Sequence, residues 1–245
     1  MLTGIELIIS LIVVFFGSIT AGTVAFGMGL VIAPFLLLFL PPQTAVVLVK
    51  TLTALVLLMV LIQARNNIRI NIIKWMLLGG VVAVPFGVFV LSYGDPGVLK
   101  IIIAVLVLLL AILTFFEVSL PFANRKHTGL IVGFLTSMST TAFSVGGPLA
   151  VLYIIDQKGD DKMIRANLSL YFFITHIFAL SLYAVIGIVD IYILKNILIY
   201  LPIALIGFIC AIFIKNLINK NTFRLVAVII SIIGSISILF NELFL

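Results

Sequence analysis

Charged residues are scarce in this sequence. Only 9% of its 245 residues are Asp, Glu, Lys or Arg, whereas 64% are hydrophobic. Twenty-two charges, 14 basic and 8 acidic, cannot cover the surface of a soluble protein with so much apolar material. The apolar surface must therefore face lipid, and the composition predicts an all-α polytopic membrane protein without a large extramembrane domain.

Metal ligands, thiols and nucleic-acid motifs are also rare. The single cysteine, Cys210, lies in an apolar run, which excludes an intrachain disulfide and indicates a packed, inert thiol. The neighbouring Asp160 and Asp161 lack the further carboxylates of a metal motif. The net charge of +6 is typical of basic cytoplasmic loops and has no basic-aromatic patch beside it. We expect no metal, no cofactor and no nucleic-acid partner.

The sequence offers little for catalysis inside a membrane. It contains no HExxH motif and no evident Cys-His pair, and its two Gly-Asp steps, Gly94-Asp95 and Gly159-Asp160, lie in predicted loops. We therefore predict that the protein is not an enzyme and has no catalytic residues, with an intramembrane enzyme as a weaker alternative. A non-catalytic anchoring subunit is the third hypothesis, and it would favour unbroken helices.

Long charge-free runs locate the membrane segments, and most suit one crossing of about 20 residues. Two do not. The run 128–155 is long for one helix and short for two, and it contains Gly146, Gly147 and Pro148. The first run, 7–49, likewise contains Gly27 and Gly29. Both runs predict a broken or re-entrant helical segment, which is tolerated where it is buried in protein or lines a cavity.

The two broken segments belong to an internal duplication. Similar residues recur at nearly constant separation: Pro34 and Pro148 are 114 apart, Lys50 and Arg165 are 115 apart, and Pro85 and Pro202 are 117 apart. Each half reads as a broken segment followed by three transmembrane helices. The predicted boundaries are 1–118 for the first repeat, 119–127 for a cytoplasmic connector and 128–245 for the second repeat, within one integral membrane domain.

Positive charges indicate how the repeats are oriented. If each broken segment returns to its starting side, eleven basic residues fall on one side and Lys50, Lys100 and Lys195 on the other. Parallel repeats would place six of the basic residues on one side of the membrane and eight on the other. The cytoplasmic bias of Lys and Arg favours the inverted arrangement with both termini outside. The larger group comprises Arg65, Arg69, Lys74, Arg125, Lys126, Lys158, Lys162, Arg165, Lys215, Lys220 and Arg224.

Inverted repeats with discontinuous helices near the midplane are typical of secondary transporters. The stretches Phe26-Gly-Met-Gly-Leu-Val-Ile-Ala-Pro34 and Pro41-Pro-Gln-Thr-Ala-Val46 resemble the first repeat of the sulfite exporter TauE/SafE family. Ser144-Val-Gly-Gly-Pro148 and Arg165-Ala-Asn-Leu-Ser169 are similar to its second repeat. The resemblance covers nearly the whole chain. It implies a multi-pass permease of the bacterial inner membrane for sulfite, sulfonates or related sulfur-containing organic acids, with a different carboxylate or inorganic anion as the alternative.

Glycines and two cations form the centre of the predicted anion site. Glycines that break a helix free backbone N–H groups, and a new helix N-terminus attracts an anion. Lys50 and Arg165 follow the broken segments and would supply positive charge, although Lys50 could instead snorkel to the interface and Arg165 could serve a cytoplasmic loop. The glycines predicted to bind substrate are Gly27, Gly29, Gly146 and Gly147.

Neutral donors complete the predicted site. Hydroxyl and amide groups could surround an oxyanion and still release it, although such side chains often bond only their own helix. His176 lies deep in a predicted span and titrates near neutral pH, so it is a candidate for proton coupling or else a packed neutral histidine. A coupling proton or sodium ion and a homodimer are left open. The neutral donors are Thr51, Thr53, Thr140, Thr141, Ser144, Asn167 and Ser169.

Overall fold

The computed structural model describes residues 2–115, 126–157, 160–214 and 220–244. All regular structure in these ranges is helical, which confirms the predicted all-α class. A short 3-10 turn, Arg65–Asn67, follows the third helix. The α-helices are α1 Gly4–Val24, α2 Met28–Phe39, α3 Pro42–Ala64, α4 Ile70–Tyr93, α5 Pro96–Phe115, α6 Lys126–Phe143, α7 Gly147–Asp156, α8 Asp161–Ile186, α9 Ile191–Ile214 and α10 Lys220–Phe244.

Several helix ends follow from local chemistry. Pro42 opens α3, where the missing N–H costs no helical hydrogen bond. The Asp160 side chain caps α8 by accepting from the Met163 N–H at 2.9 Å. Gly187 ends the same helix in a left-handed conformation at φ 86°. Within the described residues, six helices are long and apolar enough to cross a membrane, namely α1, α3, α4, α5, α8 and α9.

Each half of the chain begins with a broken helical segment, as predicted. The chain leaves helical geometry at Ala25, which has φ 64°, and Gly27 at φ 88° turns it into α2. The break before α7 has Ser144 at φ 57°. At φ values near 60–90° glycine is tolerated without the penalty that a side chain brings.

The broken segments fold back on themselves as helical hairpins. A side chain added at Gly17 of α1 would meet Ile32 of α2, and one added at Gly129 of α6 would meet Tyr153 of α7. At 1.5 Å per residue, the 12 residues of α2 span about 18 Å and the 10 residues of α7 about 15 Å. Each returning helix therefore covers about half of the ~30 Å hydrocarbon core.

The two halves contain the same order of helices, but their register differs from the predicted one. Ala25 and Ser144 adopt the same left-handed conformation 119 residues apart. The starts of α3 and α8, Pro42 and Asp161, are also 119 apart. The pairing of Pro34 with Pro148 is wrong, because Pro34 lies inside α2 whereas Pro148 is in the first turn of α7.

The pairing of Lys50 with Arg165 is wrong for the same reason. Lys50 is the ninth residue of α3 and Arg165 is only the fifth residue of α8. Counted from the helix starts, Ser169 occupies the position of Lys50. The first half therefore carries a cation where the second half carries a hydroxyl.

Helices α3 and α8 pack against each other at the centre of the structure. The beginning of α8 lies beside the end of α3, since Arg165 bonds the Gln63 side chain at 3.3 Å. Farther along, His176 of α8 lies close enough to Lys50 of α3 for an electrostatic interaction. The two helices therefore run antiparallel, as equivalent helices of inverted repeats would. The inverted relation of the whole repeats stays a prediction.

Close glycine contacts join each hairpin to the opposite half. Gly133 of α6 lies against the backbone of Met76 in α4, and Gly79 of α4 lies against the backbone of Leu130 in α6. In the matching interface, Gly22 of α1 lies against Ala211 of α9. Small residues let helices approach closely in a membrane, where packing replaces the hydrophobic effect.

The last helices of the halves, α5 and α10, are joined by an ion pair between Lys100 and Glu242 at 2.5 Å. Most of the predicted connector lies outside the described ranges, and the boundaries of the repeats remain predictions. The count of basic residues on the two sides of the membrane changes at one position. Lys50 is buried inside α3 and is not a loop charge, so Lys100 and Lys195 alone stand against the eleven.

Candidate functional site

The tips of the two hairpins meet. A methyl group on Gly29, in the first turn of α2, would overlap the carbonyl oxygen of Ser144 at the other tip. A methyl group on Gly147, the first residue of α7, would lie 3.0 Å from Cβ of Phe26. Glycine at these positions lets the two breaks touch. The predicted glycines are therefore brought together, in direct contact rather than on opposite walls of an open space.

Two helix N-termini converge on this contact. Helix α2 starts at Met28 after Gly27, and α7 starts at Gly147 after Gly146. Neither first turn contains an acidic residue, and neither glycine cap has a side chain to accept from the first N–H groups. Each N-terminus carries about half a positive charge. Together they form a region that favours an anion without any charged side chain.

Lys50 adds a full charge near the tips. Its side chain is 1% exposed, which excludes the snorkelling alternative. The Lys50 Nζ atom has no hydrogen-bond partner among the described residues. A buried cation costs from about 3 to more than 10 kcal/mol in a membrane. An ammonium left without a partner is therefore expected to serve a ligand.

His176 is the titratable neighbour of Lys50. The imidazole is 5% exposed and lies 5.7 Å from the Phe172 ring, measured between ring centroids. Its Nδ1 atom has no hydrogen-bond partner in the described part of the chain. His176 is thus buried in α8 within reach of an electrostatic interaction with Lys50, and its role in proton coupling stays a prediction.

Side-chain bonds to carbonyl oxygens connect α6 to α3 and α8. The Ser144 hydroxyl donates to the carbonyl oxygen of Val46 at 3.0 Å, one helical turn before Lys50. The Tyr183 hydroxyl of α8 donates to the carbonyl oxygen of Thr141. These bonds place the tip of the second hairpin at the level of Lys50.

Four of the predicted hydroxyl donors bond their own helix. Thr51, Thr53, Thr140 and Ser169 donate to backbone carbonyls three or four residues earlier, at 2.7–3.2 Å. These four side chains therefore follow the simpler alternative, in which a hydroxyl bonds only its own helix. Thr141 differs, because its buried Oγ1 atom finds no partner among the described residues.

Arg165 and Asn167 serve the surroundings of the first hairpin. Arg165 donates to the carbonyl oxygen of Gly22 at 2.7 Å, in the last turn of α1. Asn167 accepts from the backbone N–H of Arg69 at 2.9 Å and donates to Met163. The bonds of Asn167 hold the turn after α3. Arg165 places its charge at the end of α1, where carbonyl oxygens lose their helical partners.

One polar segment was not included in the predicted site. Five of the six residues from Thr136 to Thr141 carry hydroxyl groups, and they lead along α6 to the tip at Ser144. Thr136 is buried and its hydroxyl, like that of Thr141, is unpartnered within the described ranges. Such a run of hydroxyls in an apolar chain is a sequence signal that could have indicated its role.

No group of three or more His, Cys, Asp or Glu side chains that could hold a metal occurs in the residues described. The site is thus built from backbone N–H groups, hydroxyls and one ammonium. Two helical hairpins whose tips meet, inside a bundle of membrane-length helices, define the class of polytopic membrane transporters.

A comparison with protein families identifies the family within this class. The family described as "Sulfite exporter TauE/SafE" matches residues 10–238. The chain belongs to this family of membrane permeases. No curated protein and no solved structure matches the chain significantly.

Proposed function

We propose that this protein moves a small anion, namely sulfite, a sulfonate or a related sulfur-containing organic acid, across the bacterial inner membrane. Family membership supports a transporter. The convergence of two helix N-termini and the unpartnered Lys50 ammonium at the hairpin tips supports an anion as its cargo. This convergence is the single observation on which the proposal depends.

The donors suit a tetrahedral oxyanion. A sulfonate presents three oxygens, and the backbone N–H groups after Gly27 and Gly146 can approach them from two sides. The Lys50 ammonium and the Thr141 hydroxyl add donors from α3 and α6. Most of these donors are neutral, which allows binding to remain weak enough for release.

Alternating access around the tips is the proposed mechanism. The two halves would be inverted repeats, so that one hairpin enters from each side of the membrane. Separation of the tips toward one side, then the other, would expose the anion alternately. Pro85 in α4 and Pro202 in α9 interrupt helical hydrogen bonding inside the helices that hold the hairpins. They are the proposed flex points.

The alternatives concern the anion that is transported and the class of protein. A carboxylate or another inorganic anion would use the same donors. We propose that the protein has no catalytic activity, because the family to which the chain belongs is one of membrane permeases. With the cell interior negative, a monovalent anion gains about 2.3 kcal/mol per 100 mV on export. Export therefore needs no coupling ion, while uptake would require one.

A flux assay in proteoliposomes tests the proposal. Purified protein would be offered sulfite, methanesulfonate, acetate, sulfate and chloride, with protein-free vesicles as the background. We expect saturable flux of sulfite or methanesulfonate, inhibited by the other sulfur anions. A variant with Gly29→Leu, which fills the contact with Ser144, is the matched inactive control. Saturable flux of acetate or chloride alone would favour the alternative cargo, and absence of any flux would contradict a transporter of small anions.

A further inference from the structure

Lys50 has no counter-charge among the residues that the structure describes. Helices α1, α2, α4, α5, α6, α8 and α9 and the turn 65–67 all pack on α3. Their described charged and titratable groups lie at helix ends, except for His176 and tyrosines whose hydroxyls bond elsewhere. His176, which is also basic, is close enough to Lys50 for an electrostatic interaction. The groups at helix ends are Glu6, Arg65, Lys74, Lys100, His127, Asp161, Lys162, Arg165 and Lys195.

Charge balance then depends on the cargo. An ammonium without a counter-charge is costly to bury, and so is an anion without a cation. Together in one site they are neutral overall. The empty site and the loaded site can therefore both be neutral if the lysine loses its proton whenever the anion leaves.

We propose that Lys50 carries one proton with each monovalent anion, so that the protein is a proton–anion symporter. On one side, the neutral amine accepts a proton from water as the anion binds; on the other, the ammonium returns the proton to water as the anion leaves. One proton and one negative charge cross together, and no net charge moves. This inference rests on the proposed function.

His176 limits the number of protons to one. Two positive charges side by side repel each other, so an ammonium at Lys50 keeps the neighbouring imidazole neutral. The free Nδ1 atom of His176 lies in the same buried region and can accept or return a proton on its way to Lys50. His176 is thus a positioning residue in this scheme, and Lys50 holds the transported proton.

The first test measures protons and charge in the wild-type protein. Methanesulfonate is the probe, because it stays ionised near neutral pH and carries no proton of its own. Proteoliposomes loaded with a pH-sensitive dye would receive an inward methanesulfonate gradient. We expect the lumen to acidify by one proton per anion, and a potassium diffusion potential of either sign to leave the initial rate unchanged.

The second test uses Lys50→Arg, which keeps the charge permanently. A carrier that cannot lose its charge should still exchange anion for anion across the membrane but should not return empty. We expect exchange to persist at a rate within about threefold of wild type, while net uptake falls at least tenfold. The matched control is Lys195→Arg, the same change at an exposed lysine, which should leave both activities intact.

The outcomes separate the two proposals. Wild-type flux that follows the membrane potential and leaves luminal pH unchanged would overturn proton coupling and leave the transport function standing. Net uptake by Lys50→Arg equal to its exchange would do the same. If Lys50→Arg does not fold, the wild-type measurements of charge and pH decide alone. A wild-type protein that moves no anion would overturn both proposals.

Discussion

At the scale of single residues, Lys50 and Gly29 each carry a structural cost. Lys50 holds an ammonium with no internal partner among the described residues. Gly29 occupies a contact in which even a methyl group would overlap the backbone of the other half. Both features reduce stability or tolerance to mutation, and both lie where the hairpin tips meet. Costs of this kind are commonly retained at functional sites.

Replacing Lys50 by methionine should separate binding from stability. Loss of the ammonium removes a charge-assisted contact to the anion, so we expect affinity to weaken by about 1.5–3 kcal/mol. The methionine also removes a buried polar group without a partner, so the protein should unfold at a higher temperature. Isothermal titration and thermal unfolding in detergent measure the two effects.

The control for this prediction is Lys195→Met, at an exposed lysine on α9. It should change neither affinity nor unfolding temperature. Unchanged affinity in Lys50→Met would remove Lys50 from the anion site.

The two tip glycines should not be equally sensitive. An alanine at Gly29 would overlap the Ser144 backbone, which has to move, whereas an alanine at Gly147 would meet the Phe26 side chain at 3.0–3.1 Å. A shift of a few tenths of an ångström relieves the contact with Phe26, whereas the overlap with the Ser144 carbonyl requires a larger movement of the backbone. We expect Gly29→Ala to reduce flux at least tenfold and Gly147→Ala to reduce it less.

Gly129→Ala is the comparison for these variants. Gly129 packs against Tyr153 and Trp75 away from the tips, and its alanine should lower the unfolding temperature before it lowers flux. Equal loss of flux in all three variants would argue that packing, and not the tip contact, limits transport.

At the scale of helices, each hairpin is supported by the half to which it does not belong. The first hairpin packs on α9 and receives a bond from α8, and the second packs on α4 and bonds α3. A movement of one hairpin therefore changes contacts with the other half. Such crossed support is a physical route by which the two tips can move together.

Arg165 should stabilise the first hairpin through the Gly22 carbonyl. Replacement by methionine removes a charged donor from a helix end, and we expect the free energy of unfolding to fall by about 1.5–3 kcal/mol. Arg165→Lys should recover part of this loss, because a lysine can donate to one carbonyl but lacks the planar fork. Lys162→Met, at an exposed position of the same helix, is the control.

Chemical denaturation monitored by Trp75 fluorescence measures these differences. If Arg165→Met and Lys162→Met have the same small effect, the bond to Gly22 contributes little to the free energy of unfolding. Arg165 would then be available to bind the anion.

The helical breaks could be predicted from the sequence, but their contacts could not. Runs of apolar residues with Gly27, Gly29, Gly146 and Gly147 identified the breaks because glycine removes helical preference. The equivalence of Lys50 and Arg165 failed because these residues are 115 apart, whereas the breaks and the starts of α3 and α8 are 119 apart. Whether a hydroxyl bonds its own helix or another one depends on neighbours distant in sequence. Ser144 and Thr51 could not be distinguished in advance for that reason.

At the scale of the whole molecule, the loop charges predict topology. With Lys50 assigned to the interior of α3, the excess of basic loop residues on one side becomes larger. We expect the loops around 65–74 and 215–224 to be cytoplasmic and both termini to be external. Single cysteines introduced in a Cys210→Ala background, labelled with an impermeant reagent in intact cells, measure the side of each loop.

Cysteines at positions 66 and 218 should be labelled only after the membrane is permeabilised. Accessibility of the two loops from opposite faces would contradict the inverted arrangement. It would leave the helical hairpins and the family unchanged.

The exchange of Lys50 for Ser169 between equivalent positions has a consequence for the resting state. If the two inverted halves were identical, the inward-facing and outward-facing forms would be equivalent structures with equal populations in a symmetric bilayer. If the halves alternate as proposed, a lysine in only one half removes that equality, because the surroundings of its side chain differ between the two forms. The empty protein is then biased toward one side of the membrane, and its apparent affinity for the anion differs between the two faces. A single lysine thereby makes the two faces of a duplicated fold unequal in anion affinity.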